Sequence, residues 1–191
     1  MKTLPAGTSQ LRIIAGQWRS RRFSFSEQPG LRPTPDRIRE TLFNWLSGRI
    51  EGARCLDPFA GSGALTLEAL SRGAAYALAC DSSRDVVNTL RGHLQRLACE
   101  HADVQQQDAL QLLASTPQQA YDLVFLDPPF RQGLLAPSCA ALEANGWLTD
   151  DAWIYTESES APATLQAPAN WSLQREKRAG QVWYSLWQRR G

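Results

Sequence analysis

Four times along this chain a short, mostly apolar run gives way to an acid: Ala53-Arg-Cys-Leu-Asp57, Tyr76-Ala-Leu-Ala-Cys-Asp81, Val104 to Asp108, and Leu123-Val-Phe-Leu-Asp127. Apolar runs without alternation belong to strands buried on both faces, the environment of a parallel sheet flanked by helices. Val104 to Gln107 is the poorest of the four by composition, yet it too ends on an acid. Helical patterns separate the runs. One follows a glycine turn and continues through Arg72 to a stop at Gly73. A second, Arg84 to Cys99, sets Val86, Val87, Leu90, Leu94 and Leu97 on one face, and a third spans roughly 131 to 145. With strands and helices alternating, all four acids fall at strand carboxyl ends, so a single crevice outside the sheet would collect them.

The remaining segments complete the pattern. Ala152-Trp-Ile-Tyr-Thr156 supplies a fifth strand, and Trp171 to Lys177 with Gln181 to Trp187 forms a hairpin through Ala179-Gly180. The expected class is α/β: a doubly wound, Rossmann-like, mostly parallel sheet of seven strands with an antiparallel C-terminal hairpin, plus a small N-terminal β-hairpin extension. That extension comes from Leu11-Arg-Ile-Ile-Ala15 and Arg21-Arg-Phe-Ser-Phe25, joined by Gly16-Gln-Trp-Arg-Ser20. Residues 1 to 10 read as a loose tail, and 27 to 35, with Pro29, Gly30, Pro33 and Pro35, as a linker. Thr34 then caps a helix whose first position is Pro35. Ile38, Leu42, Trp45 and Leu46 form its apolar stripe, Arg37, Glu40 and Asn44 its other face, and Gly48 to Gly52 its end. The chain thus divides into a basic hairpin and linker, 1–33, and an α/β domain, 34–191.

With 191 residues, 43% of them hydrophobic, one such domain has a full-sized core. No apolar run approaches the roughly 18 residues of a membrane span, and the N-terminus lacks the pattern of a secretory signal, so the chain reads as soluble and cytoplasmic. Cys55, Cys80, Cys99 and Cys139 form no Cys-x-x-Cys pair, and the histidines are His93 and His101, so neither a metal site nor a disulfide framework is expected. Cys55 and Cys80, inside strand-like runs, read as small buried side chains. The net charge of +1 hides an asymmetry. Residues 1 to 39 carry Lys2, Arg12, Arg19, Arg21, Arg22, Arg32, Arg37 and Arg39 against Glu27 and Asp36, and the tail carries Arg175, Lys177, Arg178, Arg189 and Arg190 against Glu176. Such ends suit a polyanion, most simply nucleic acid, with Arg19, Arg21, Arg22 and Arg37 as candidate contacts; the plain alternative is a solvated basic face. Trp18 could stack on a base, but packing on the hairpin's own apolar face is the stronger reading.

The chemistry concentrates at Asp127-Pro128-Pro129-Phe130. Two prolines remove backbone donors, leaving carbonyl acceptors beside a carboxylate and a flat apolar ring. That set suits an exocyclic amino group on a nucleobase, which can donate to Asp127 and the Pro128 carbonyl while its ring stacks on Phe130. The plain alternative is a strand ending in a proline turn with a packed Phe, so a second motif must decide. In Asp57-Pro-Phe-Ala-Gly61-Ser-Gly63 the glycines allow close approach to a ligand, but Thr66 stands where a dinucleotide fingerprint has Gly or Ala, and an acid precedes the turn. An anionic turn favours a ligand with an ammonium and a sulfonium, namely S-adenosylmethionine. Asp81 is then placed for ribose hydroxyls. Asp108 has two readings, a ligand contact or the cap of the following helix.

These residues carry a resemblance. Leu56-Asp-Pro-Phe-Ala-Gly-Ser-Gly-Ala64 looks like the first motif of class I methyltransferases, and Asp127-Pro-Pro-Phe130 like their amino-methylating motif. Combined with Arg32-Pro-Thr-Pro-Asp-Arg-Ile-Arg-Glu-Thr-Leu-Phe-Asn-Trp45, Glu68-Ala-Leu-Ser-Arg-Gly73 and Arg175-Glu-Lys-Arg-Ala-Gly180, the chain resembles the bacterial small-subunit ribosomal RNA guanine-N2 methyltransferases from about Leu11 to Trp187. Pro35 departs from the Thr expected there. The resemblance implies S-adenosylmethionine as cofactor, a guanine amino group as substrate, and the small subunit with its RNA, assembled or nearly so, as partner; a monomer without metal is expected. It implies that Asp57, Phe59, Gly61 and Gly63 hold the methionine end, that Asp81 binds the ribose and Asp108 the adenine amino group, and that Asp127, Pro128, Pro129 and Phe130 hold the target base. Glu68 reads as a solvated or packing residue. Three rival functions remain, of which a nicotinamide-dependent oxidoreductase is disfavoured by Thr66 and by the acid before the glycines. A DNA adenine-N6 methyltransferase would share both motifs but needs a target-reading domain, and a non-catalytic RNA-binding assembly protein leaves Asp127 to Phe130 unexplained.

Overall fold

The computed structural model describes residues 7–26 and 34–191. An antiparallel hairpin, β1 (Thr8–Arg12) and β2 (Arg22–Ser26), leads into α1 (Asp36–Trp45). Alternation then follows: β3 (Arg54–Asp57), α2 (Ala64–Ser71), β4 (Tyr76–Asp81), α3 (Arg84–Arg96), β5 (Ala102–Gln106), α4 (Ala109–Leu113), β6 (Tyr121–Leu126), α5 (Leu135–Ala144), β7 (Leu148–Ser158), β8 (Trp171–Ala179) and β9 (Val182–Arg189). Seven strands form one sheet in the order β5-β4-β3-β6-β7-β9-β8. The first five are mutually parallel, and β9 runs antiparallel to both β7 and β8. Chain direction across the sheet reverses between β3 and β6, the position where open α/β sheets bind ligands.

Each central strand alternates two apolar sets because each face has its own helical layer to pack against. Cys55, Ala77, Ala79, Leu123, Phe125 and Tyr155 join one core with residues of α1, α2, α3 and the hairpin. Leu56, Leu78, Cys80, Val124, Leu126 and Ile154 join the other with α4 and α5. Continuing that alternation to the ends of β3 and β4 and one residue past β6 sets Asp57, Asp81 and Asp127 on the face covered by α1, α2 and α3. Glu157, two residues beyond Tyr155, falls on the same face.

The hairpin is fastened to α2 through polar groups. Glu68, fully buried, accepts the backbone N–H groups of Ile14 and Ala15 at 2.8 and 3.0 Å and pairs with Arg39 and Arg72. Ser71 accepts the Trp18 N–H and donates to the Ala15 carbonyl. At Gly16 a Cβ would stand 1.8 Å from the Ser71 carbonyl oxygen, so only glycine permits this contact. Arg39, 1% exposed, ties α1 in by donating to the Thr34 and Arg12 carbonyls. Glu68 is therefore an anchor and not a solvated residue, and Trp18 is buried in the core, as packing requires.

Several sequence expectations shift. Pairing begins at Thr8, so the tail ends earlier than residue 10; residues 1–6 and the linker over 27–33, including Arg32 and Pro33, lie outside the described residues. Thr34 does not cap α1. Pro35 occupies the cap position, its carbonyl accepting from Ile38 and Arg39, and the Thr34 hydroxyl is used elsewhere. The helix expected from residue 131 starts at Leu135, because Arg131 and Gly133 take left-handed φ values of 62° and 66° and hold the chain in a turn. Among the described residues no helix is long and apolar enough to cross a membrane.

Candidate active site

β3 stops at Asp57 because Pro58 cannot extend the ladder. The chain then turns through Gly61 and Gly63, with φ of 49° and 76°, and Gly63 caps α2 in the left-handed region. At Gly63 a Cβ would meet Leu90 Cδ1 at 2.4 Å, so the close approach permitted there is that of α3, where the sequence suggested a ligand. Asp81 closes the turn: its two carboxylate oxygens accept the N–H groups of Gly61 at 3.0 Å and Ser83 at 2.8 Å. Both oxygens retain lone pairs for a further donor. Asp57 is buried, with the Thr66 hydroxyl donating to it at 2.7 Å. Burial pushes its carboxyl up to about 7, the Thr66 bond opposing and the nearby Asp81 charge adding. Phe59 is half-buried against the α4–α5 core. Asp108 is exposed and accepts the Gln111 N–H at 3.0 Å, the helix-cap alternative, with one oxygen left over.

Asp127 stands one strand away, at the end of β6. It is half-buried and receives the Thr34 hydroxyl at 3.4 Å. Burial first, then the carboxyls of Glu157 and Asp57, push its own carboxyl well above the usual range. Pro128 is buried and Pro129 exposed, while Phe130 is 42% exposed, one of two large apolar side chains left open to solvent among the described residues. A ring this exposed answers the plain alternative of a buried Phe. Beside it lies a groove of ≈ 230 Å³ lined by Pro128, Phe130, Leu135, Glu157, Ser158 and Thr164, among others. The turn at its lip is held by the Arg131 N–H, which donates to both oxygens of Glu159 at 3.1 Å.

Sequence reasoning missed Glu157 and Thr34. Glu157 is 5% exposed and accepts the Tyr155 hydroxyl at 2.7 Å. Its carboxyl is raised by burial, with the Tyr155 and Thr34 hydroxyls opposing. The register pairs Leu126 with Thr156, so Asp127 and Glu157 are the next neighbours on adjacent strands. The signal was present, since a fifth apolar run also ends on an acid one residue past Thr156. The arginines Arg19, Arg21 and Arg22 are exposed on the hairpin and Arg37 on the outer face of α1. None enters the turn that Asp57, Gly61 and Asp81 build.

The fold is that of Rossmann-like methyltransferases, with a glycine turn at the reversal point, an acid closing it from the next strand, and an acid with two prolines at β6. The particular family is equally definite. The profile described as Conserved hypothetical protein 95 matches residues 11–188. Ribosomal RNA small subunit methyltransferase D of Escherichia coli strain K12 is 53% identical over 186 residues, covering 96% of this chain and 92% of the relative. The protein of the same name from Haemophilus influenzae is 44% identical over 187 residues and 96% of each chain. The solved structure of yhhF from Escherichia coli superposes with a TM-score of 0.87 at 53% identity, covering 95% of this chain and 99% of that one. The chain belongs to this family.

Proposed function

We propose that this protein uses S-adenosylmethionine to methylate the exocyclic N2 amino group of one guanine in small-subunit ribosomal RNA, acting in the cytoplasm as a monomer on the assembled or nearly assembled subunit. The names of the relatives support the RNA substrate. The observation that carries the chemistry is the end of β6, where a carboxylate and a proline carbonyl adjoin an open aromatic ring and a groove.

The residues at the glycine turn fit the cofactor. Asp57 and Asp81 are acceptors and the segment from Asp57 to Ala64 carries no basic side chain, so the turn favours a cationic ligand over a pyrophosphate. Asp57, Phe59, Gly61 and Gly63 would hold the methionine end, Asp81 the ribose and the free oxygen of Asp108 the adenine. When bound, S-adenosylmethionine supplies an electrophilic methyl group. Asp127 and the Pro128 carbonyl accept the hydrogens of the guanine amine, which favours a pyramidal nitrogen and stabilises the positive charge it acquires. Its raised proton affinity also suits Asp127 to take the proton that the methylated nitrogen sheds. Phe130 receives the base once it swings out of its stack, offsetting that cost by about 1 to 3 kcal/mol. The basic hairpin, residues 1–33 with the linker, grips the RNA backbone through Arg19, Arg21 and Arg22, assisted by Arg37.

Labelled S-adenosylmethionine and unmodified small subunits, followed by nucleoside analysis, test the reading. N2-methylguanine is the expected product, and Asp127→Ala should bind cofactor normally in calorimetry while losing transfer by about 100-fold or more. Methyladenine as the product, or full activity of Asp127→Ala, would overturn it.

A further inference from the structure

We infer that Glu157 reads the target base, its carboxylate accepting guanine N1–H in the groove beside Phe130 while Asp127 and Pro128 hold the N2 amino group. The inference rests on the guanine reading above and explains a selectivity that the Asp127 motif lacks. Guanine and adenine both offer a planar, ring-conjugated amine, and either would satisfy Asp127 and the Pro128 carbonyl. They differ at N1, which is a donor in guanine and an acceptor in adenine.

Three observations support this assignment. It walls the groove together with Pro128 and Phe130. It follows Thr156, the register partner of Leu126, so it neighbours Asp127 across strands that lie about 4.8 Å apart, a separation that lets two acids address adjacent donors of one base edge. Its orientation is fixed by the Tyr155 hydroxyl at 2.7 Å. The Thr34 hydroxyl lies within reach of both acids. Tyr155 and Thr34 fill at most two of the roughly four acceptor positions of a carboxylate, so Glu157 keeps capacity for a donor from the groove. A purine with an N1 lone pair would face that carboxylate with no proton between them. In a buried site this leaves two acceptors unsatisfied, the arrangement by which hydrogen-bonding pockets reject analogues most strongly.

The test uses reconstituted small subunits carrying guanine or 2-aminopurine at the methylated position, mapped first from the guanine product. 2-Aminopurine keeps the exocyclic amine and lacks the N1 proton. The wild-type protein should favour guanine by about 100-fold or more in kcat/KM. Glu157→Gln offers an amide that can accept N1–H or donate to a bare N1, so the preference should narrow to within about tenfold at unchanged cofactor affinity. Equal wild-type rates on the two substrates overturn the inference, as does a Glu157→Gln protein that binds cofactor normally and keeps the full preference. Should that variant lose cofactor binding, Tyr155→Phe, which frees the carboxyl to rotate, carries the test, and an unchanged preference there sinks the idea equally. Failure of the guanine arm itself would instead count against the guanine reading.

Discussion

Thr66 donates its hydroxyl to a carboxyl oxygen of Asp57 at 2.7 Å, and both side chains are buried beneath the glycine turn. The bond only partly offsets burial, which leaves the carboxyl at about 7 against an ordinary value of 3.8. A folded state that holds this proton more tightly than the unfolded chain is most stable below the unfolded value and loses stability as pH rises from about 4 to 7. Asp57→Asn mimics the protonated form. It should raise the melting temperature at pH 8 by several degrees, reflecting on the order of 2 to 4 kcal/mol, with the gain vanishing near pH 4. Cofactor binding by the same variant should weaken, because the cation loses its counter-charge. A variant no more stable than wild type at pH 8 would show that Asp57 ionises without cost.

Glu68 offers a test of how the hairpin is held. Removing one partner from a buried ion cluster strands the others, at a cost of about 3 to 5 kcal/mol. Glu68→Ala should lower the urea midpoint accordingly and expose the Ile14 and Ala15 amides, whose acceptor is this carboxylate, to rapid hydrogen exchange. Retained protection at those two amides would assign the docking to Ser71 and the apolar contacts instead.

The difference between Glu68 and Asp127 marks what a sequence can carry. Asp127 was legible because its meaning is local: a strand, two prolines and a ring in succession fix a chemical environment wherever the segment lies. The sheet's centre was legible for the same reason, β3, β4 and β6 each declaring itself by an apolar run and an acid. Arg39 sits within the amphipathic α1 and Glu68 within α2, which is buried along its whole length, and only the docking of a hairpin 53 and 54 residues away in the chain makes Glu68 an anchor. Thr34 misled for the opposite reason. Its place before a helix matches a cap, but Pro35 fills that position and the hydroxyl turns to an acid 93 residues distant. Glu157 was a boundary error, since ending the strand at Thr156 dropped the acid that completes the series.

Arg19, Arg21 and Arg22 are exposed on the hairpin and are proposed to meet the phosphate backbone. Each phosphate contact releases counterions, so affinity falls with salt in proportion to the number of contacts. Replacing all three with Gln should raise KM for small subunits and reduce the magnitude of the log–log salt slope by about 2 to 3, with cofactor affinity unmoved. An unaltered slope would make them a solvated face.

In the proposed mechanism Asp127 works only as a carboxylate, since it would accept hydrogens from the amine, and its surroundings oppose ionisation. Burial is the largest cause, followed by the carboxyl of Glu157 and then that of Asp57. The acid limb of the single-turnover rate should therefore lie well above the ordinary carboxylate range, activity falling as pH drops through the raised value. Replacing a negative neighbour with a neutral amide makes ionisation of Asp127 easier, which moves the limb to lower pH. Glu157→Gln should shift it more than Asp57→Asn, following the order of the two charges. Because the Glu157 charge raises Asp127 from the neighbouring strand, the wild-type limb should belong to the pair, and the Gln variant should replace it with the simple titration of one group. Single-turnover rates across about pH 5 to 9 decide the matter. A limb that stays put in Glu157→Gln would mean that the two carboxyls do not communicate, and that burial alone sets the proton affinity of Asp127.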